Sequence, residues 1–302
     1  MQELTNIAVT GKRARPRVCV VMPAFRATHT VEAAARTVLD QDYPNLVLGI
    51  GVRPDDIETI AAIRRVNDPR IILLEQLGIG ISDGRNVILR SVEADLYMFL
   101  DADDYMKPGV VSAYVRHRVE TGIPALRCGD YVRGTLGEVE TFQLRKTPFR
   151  GRVRAAFGRL CVLNFVSTGS VALDREIIQR VGYFDERFNH GEDWHYWLRV
   201  ARVYPLFVLD VVAYHYTYAK LARAKPFPRS FFEDGIAVIR DIAPAFWLRF
   251  LSETCLHALY AVYYMRTLKG RQWASDYLDI RFIDFLSLMP ASLLLALRRL
   301  GV

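Results

Sequence analysis

Short apolar runs alternating with helix-period stretches fill the front half of the chain and leave few folds open. "VCVVMPAF" (Val18 to Phe25), "LVLGIGV" (Leu46 to Val52) and "RIILLEQ" (Arg70 to Gln76) have the length and composition of buried strands. After the first, Val31, Ala34, Ala35, Val38 and Leu39 recur at helical spacing; after the second, Ile57, Ile60, Ala61 and Ile63 do the same. A further segment from Ser82 to Val92 leads into "DLYMFLDAD". This alternation predicts an α/β, Rossmann-like domain with a mostly parallel central sheet flanked by helices. In such a sheet, ligands sit beyond the carboxyl ends of the strands.

At one such end Asp101, Asp103 and Asp104 crowd together. Two carboxylates at a strand end can converge on one hard cation, Mg²⁺ or Mn²⁺, which would keep waters and add phosphate oxygens. An acidic turn leading into a helix that starts near Pro108 explains the same residues without an ion. A phosphatase of the haloacid dehalogenase type carries its D-x-D near the domain start, followed by Thr or Val, whereas Asp104 and Tyr105 follow here. Neither "GIGVRP" nor "GIGISDG" completes the G-x-G-x-x-G of a dinucleotide site, and there is no P-loop.

A second acidic pair lies in "NHGEDWHYWLRVA". Trp194, Trp197, Leu198 and Ala201 repeat at i, i+3, i+4 and i+7, so a helix begins near Glu192 and Asp193 with its apolar face inward. Acidic residues are ordinary in a first turn, where the helix dipole favours their charged form. A catalytic use requires that Asp193 face the first acidic cluster.

Composition narrows the classes further. With 302 residues and 51% hydrophobic content, the chain can bury a full core. Cys19, Cys128, Cys161 and Cys255 form no C-x-x-C pair, so a reducing, cytoplasmic setting is expected. A formal net charge of +7 suits phosphate-bearing partners or an anionic membrane surface, and no basic stripe interleaved with aromatics points to nucleic acid. Residues 1–16 read as a basic arm without a secretory core, 17–221 as the main domain and 222–302 as a helical C-terminal region. The main domain divides near 108 into a nucleotide-binding part and an acceptor-side part. The C-terminal helices, ending in Arg298 and Arg299, either lie on an anionic membrane at its cytoplasmic face, as a peripheral contact, or cover the domain or join two copies in a homodimer.

Five stretches, taken in order, resemble the family 2 inverting glycosyltransferases of the GT-A fold: "VVMPAFRATHTVEAAARTVLDQDYP", "GISDGRN", "FLDADD", "VGYFDERF" and "GEDWHYWLRVA". The resemblance implies an enzyme that moves a sugar from a nucleoside diphosphate to an acceptor hydroxyl, in cell-surface polysaccharide or glycolipid synthesis. The donor would be a UDP-sugar first, with dTDP- and GDP-sugars as alternatives; the acceptor would be a glycan or lipid-linked. Asp101 and Asp103 would hold the cation and, with Ala102, meet the donor. Asp193, beside Glu192, would be the general base, its pKa pulled up by burial and down by the dipole. Pro23, Ala24 and Phe25 would lie against the base of the nucleotide, and Arg85 and Asn86 would reach its phosphate or sugar. "STGS" (Ser167 to Ser170) matches a stretch near the sugar pocket. The family's acidic "V-D-D-G-S-x-D" after the second strand is replaced by "GVRPDDIET", where Asp55 or Asp56 would stand in. That departure motivates an alternative, a non-catalytic nucleotide-sugar-binding or scaffold subunit. His215 in "VAYHYTYAK" is either a third metal ligand or a structural histidine.

Overall fold

The computed structural model describes residues 15–134, 151–153, 156–162, 164–217 and 229–242. The expected basic arm up to residue 14 and the C-terminal segment 243–302, with Cys255, Arg298 and Arg299, lie outside the described residues.

The chain runs β1 (Val18–Ala24), α1 (Val31–Leu39), β2 (Leu46–Val52), α2 (Ile57–Val66), β3 (Ile71–Glu75), α3 (Ile81–Ser91), β4 (Leu96–Phe99), β5 (Tyr105–Met106) and α4 (Val110–Thr121). It continues through β6 (Leu126–Gly134), β7 (Gly151–Val153), α5 (Ala156–Val162), a 3₁₀ turn (Thr168–Ser170), β8 (Val171–Asp174), α6 (Arg175–Val181), α7 (Glu192–Ala201), β9 (Leu206–Thr217) and α8 (Arg229–Ile242). Among the described residues one sheet has the order β3-β2-β1-β4-β8-β6-β9-β5, with β7 on β9.

The sheet is parallel over β3, β2, β1 and β4, as the alternation predicts. Beyond β4 it turns mixed, because β8 joins both β4 and β6 antiparallel while β9 runs parallel to β6. The polar, glycine-bearing stretch "RCGDYVRG" forms most of a nine-residue strand, β6. Its partners, β8 and β9, both lie far along the chain, so local pattern could not announce it.

Every residue of β1 is buried, which is why its sequence is a continuous apolar run rather than an alternating one. Val18, Val20 and Met22 meet α1, α2 and α4 on one face of the sheet; Cys19 and Val21 meet α3 and α7 on the other. The described cysteines are free and buried, in line with their scattered spacing.

Close approach of α3 to β2 depends on Gly51. A Cβ there would stand 2.4 Å from the Gly84 carbonyl oxygen, so any side chain would push α3 off the sheet. With the helix seated this closely, Arg85 is carried under the end of β4.

Candidate active site

The ends of the four parallel strands supply a row of residues. Ala24 pairs with Val52 and Val52 with Glu75, so the next residues, Phe25, Arg53 and Gln76, stand side by side at the carboxyl edge. Asp101 follows the end of β4, next to β1. A cavity of about 680 Å³ opens over this edge, lined by Pro23, Ala24, Phe25, Arg26, Arg53, Gln76 and Asp101 to Asp103, among others. Phe25 is 58% exposed, so it is not core; it lines the cavity with the Arg26 guanidinium over its ring, 5.0 Å from the centroid.

Asp101 and Asp103 sit at one end. The chain has left the strand by Leu100, so they converge through a turn, closed by the Asp104 N–H donating to the Asp101 carbonyl at 3.1 Å, not through a shared strand face. Burial and the neighbouring Asp101 both push the Asp103 carboxyl up, which marks two carboxylates close together. Asp104 plays another part. It is buried, accepts a 2.7 Å hydrogen bond from the Thr217 N–H, and ties this turn to β9; burial, Asp101 and Asp103 push it up to about 9. Among the described residues no three His, Cys, Asp or Glu side chains form a ready-made ion cage. Two oxygen donors beside a cavity fit a Mg²⁺ or Mn²⁺ that takes its other ligands from water and phosphate. His215 lies on β9, paired with Tyr105, and its ring faces that tyrosine at 6.2 Å. Burial and Lys107, not a carboxylate, set its lowered pKa.

Arg85 is the hinge of the site. It is 1% exposed and donates to Asp101 at 3.0 Å and to Glu192 at 2.8 Å, with its guanidinium over the Phe184 ring. Burial works against its charge, but Asp101, Glu192 and Asp193 more than offset this and hold its pKa above the ordinary value. Asn86 is fully buried and exchanges both amide groups with the backbone of Phe184 at 2.9 Å, donating also to Glu186. Neither residue is among those lining the cavity, and Arg85 reaches its edge through Asp101. Both face the loop before α7, because α3 turns this side toward the core.

That loop delivers Asp193. Gly191 caps α7 in the left-handed region (φ 71°), a conformation glycine takes freely, so Glu192 and Asp193 enter in the first turn. Asp193 accepts 2.8 Å and 2.6 Å hydrogen bonds from the Thr168 hydroxyl and the Trp194 N–H. Burial and Glu192 outweigh these and Arg85, raising Asp193 to about 6. Burial therefore prevails over the stabilising hydrogen bonds. The "STGS" stretch is the 3₁₀ turn that presents Thr168 to this carboxylate.

On the far side, Asp56 caps α2 through the Thr59 N–H at 3.3 Å and accepts from the Arg26 N–H at 2.6 Å. Asp55 grips Arg53 through Nε and Nη2 at 2.9 and 2.8 Å. Arg53 and Gln76, not the two acids, line the cavity. Sequence reading passed over both, although each is the first polar residue after a strand, a position the strand-end rule marks.

The model of the family described as "Glycosyltransferase like family 2" matches residues 16–231. The chain is 24% identical over 186 residues, 61% of its length and 70% of the relative's, to the Escherichia coli UDP-Glc:alpha-D-GlcNAc-diphosphoundecaprenol beta-1,3-glucosyltransferase WfgD. Among solved structures it resembles S. aureus TarS 1-349 in complex with UDP-GlcNAc, with a TM-score of 0.63 at 14% identity, over 86% of this chain and 76% of that one. The mannosyltransferase PcManGT from Pyrobaculum calidifontis, in complex with GDP-Man and Mn2+, gives a TM-score of 0.59 at 16% identity, over 95% and 80%.

Proposed function

The chain belongs to the glycosyltransferase family 2 and has the GT-A fold, and on that premise we propose that it transfers a sugar, with inversion, from a nucleoside diphosphate to an acceptor hydroxyl. One observation carries the mechanism: Arg85 joins Asp101, on the cavity, to Glu192, the chain neighbour of Asp193. The donor end and the carboxylate next to Asp193 are thereby held by one buried guanidinium.

The nucleotide lies in the cavity, its base against Phe25, Pro23 and Ala24. Asp101 and Asp103 would hold a divalent cation that supplies positive charge against the departing diphosphate. His215, one strand pairing away from Tyr105, is the candidate for a further ligand. Asp193 accepts the proton of the acceptor hydroxyl while that oxygen bonds to the anomeric carbon from the face opposite the diphosphate. The carbon–oxygen bond to the diphosphate breaks, and its electron pair leaves with the phosphate. Thr168 holds the Asp193 carboxylate in place, and Arg85 keeps Glu192 and Asp101 from repelling it out of position.

The acceptor is a glycan or lipid-linked hydroxyl, a reading supported by the lipid-linked acceptor in the name of the E. coli relative. No helix among the described residues is long and apolar enough to cross a membrane. In this reading the chain works at the cytoplasmic face of the membrane through surface contact. The test is transfer or hydrolysis of radiolabelled UDP-, GDP- and dTDP-sugars with Mn²⁺. Turnover that disappears in Asp193→Asn supports the enzyme; donor binding without turnover against any acceptor pool supports a scaffold subunit instead.

A further inference from the structure

On the donor function proposed above, we infer that Arg53, braced by Asp55, selects a nucleobase presenting two adjacent hydrogen-bond acceptors, as guanine and cytosine do and uracil and thymine do not. Three observations lead there.

The first is direction. In the strand order β3-β2-β1-β4-β8, the acids follow β4, and Thr168, the partner of Asp193, lies just before β8. The reacting sugar must lie on the β8 side of the acids, within reach of Asp193. The nucleoside must then run the other way, over β1 toward β2. Strands stand ~4.8 Å apart, so the end of β2 is about 10 Å from the acids, within the span of a nucleoside attached to its diphosphate.

The second is the platform. Phe25 is exposed in the cavity, and Arg53 follows the residue paired with Ala24, so aromatic face and guanidinium are neighbours at the ends of two hydrogen-bonded strands. The Arg26 guanidinium lies over one face of the Phe25 ring, 5.0 Å from its centroid, and a base stacked on the other face turns its edge toward Arg53.

The third is the fork. Asp55 occupies Nε and Nη2 of Arg53 from one side. The outer edge, Nη1 with the second hydrogen of Nη2, has no partner among the described residues, and the side chain is 34% exposed. It presents two parallel N–H donors. Guanine O6 and N7 accept such a pair, as do cytosine O2 and N3, whereas uracil and thymine place an N–H between their two carbonyls. The carboxylate that would accept that N–H, Asp55, is already spent on the arginine.

The experiment is calorimetric titration of GDP, CDP, UDP and dTDP, each with Mn²⁺, into the full chain and into Arg53→Lys and Arg53→Ala. Lysine keeps the charge and loses the fork. The expected result is that the full chain binds GDP or CDP about ten-fold or more tightly than UDP and dTDP, and that both variants bring the four within about three-fold of one another. Tightest binding of UDP or dTDP, or an unchanged ranking in both variants, overturns the role of Arg53 and leaves the donor site standing. No binding of any nucleotide overturns the donor site and this inference with it.

Discussion

Arg85 and Glu192, 107 positions apart in sequence, meet in a buried ion pair of 2.8 Å, and through it the catalytic carboxylate proposed on α7 is coupled to the acids after β4. The geometry of this pair makes the site sensitive to changes that leave every proposed donor contact in place.

Replacing Asp193 with Asn is expected to lower kcat by about 10²-fold or more, the usual contribution of a general base, with nucleotide affinity unchanged. Single-turnover transfer beside nucleotide titration measures both. Because burial and Glu192 raise the folded carboxylate to about 6, above its unfolded value, its ionisation opposes folding as pH rises through that window. The Asn variant should therefore melt no lower than the parent at pH 7, and its stability relative to the parent should be less favourable below pH 4, where the parent carboxyl is protonated.

Transfer rate should rise with pH and reach half its plateau near pH 6, since the base must be ionised. Glu192→Gln removes the like charge that helps hold Asp193 up, so the acid limb should move to lower pH. A kcat–pH profile in which the limb stays at its parental position would contradict the assignment of Asp193.

Arg85→Ala leaves Asp101 and Glu192 buried or half-buried without their counter-charge. The expected loss is about 3–5 kcal/mol of stability, read by urea denaturation. Arg85→Lys keeps one charge but cannot bridge two carboxylates from opposite edges of a planar fork. It should fold and yet lose most of its transfer activity.

Asn86→Ala should unfold more easily by about 2 kcal/mol, because it leaves the buried N–H and carbonyl of Phe184 without partners. The kcat of the remaining folded protein, measured at low temperature, should fall with it, since Phe184 supports the Arg85 guanidinium.

Chelation with EDTA should abolish transfer, and Mn²⁺ or Mg²⁺ should restore it. In Asp103→Ala, thermal stabilisation by a nucleoside diphosphate should no longer depend on added Mn²⁺. Parental, metal-dependent stabilisation in this variant would remove Asp103 from the proposed cation site.

Local pattern carried much of this molecule. The period of two structures alternating along the front half announced β1 through β4 and the helices between them, because burial of both sheet faces demands continuous apolar runs. The first turn of α7 was legible too, since its apolar face repeats at helical spacing. The antiparallel insertion of β8 and the pairing of β6 with β9 were not, as strand pairing across long separations leaves no mark in either strand alone.

By itself the sequence determined the chemistry on offer: carboxylates at the end of β4, a carboxylate pair at the start of a helix, an aromatic after β1 and an arginine where an acid was expected. Only the tertiary structure decided which of these meet. It brought Arg85 against both Asp101 and Glu192, and Asn86 against the Phe184 backbone, because Gly51 lets α3 sit close to the sheet. It also raised Asp193 to about 6, since a pKa is set by burial and by charges brought near in space, and neither is a property of the order of residues.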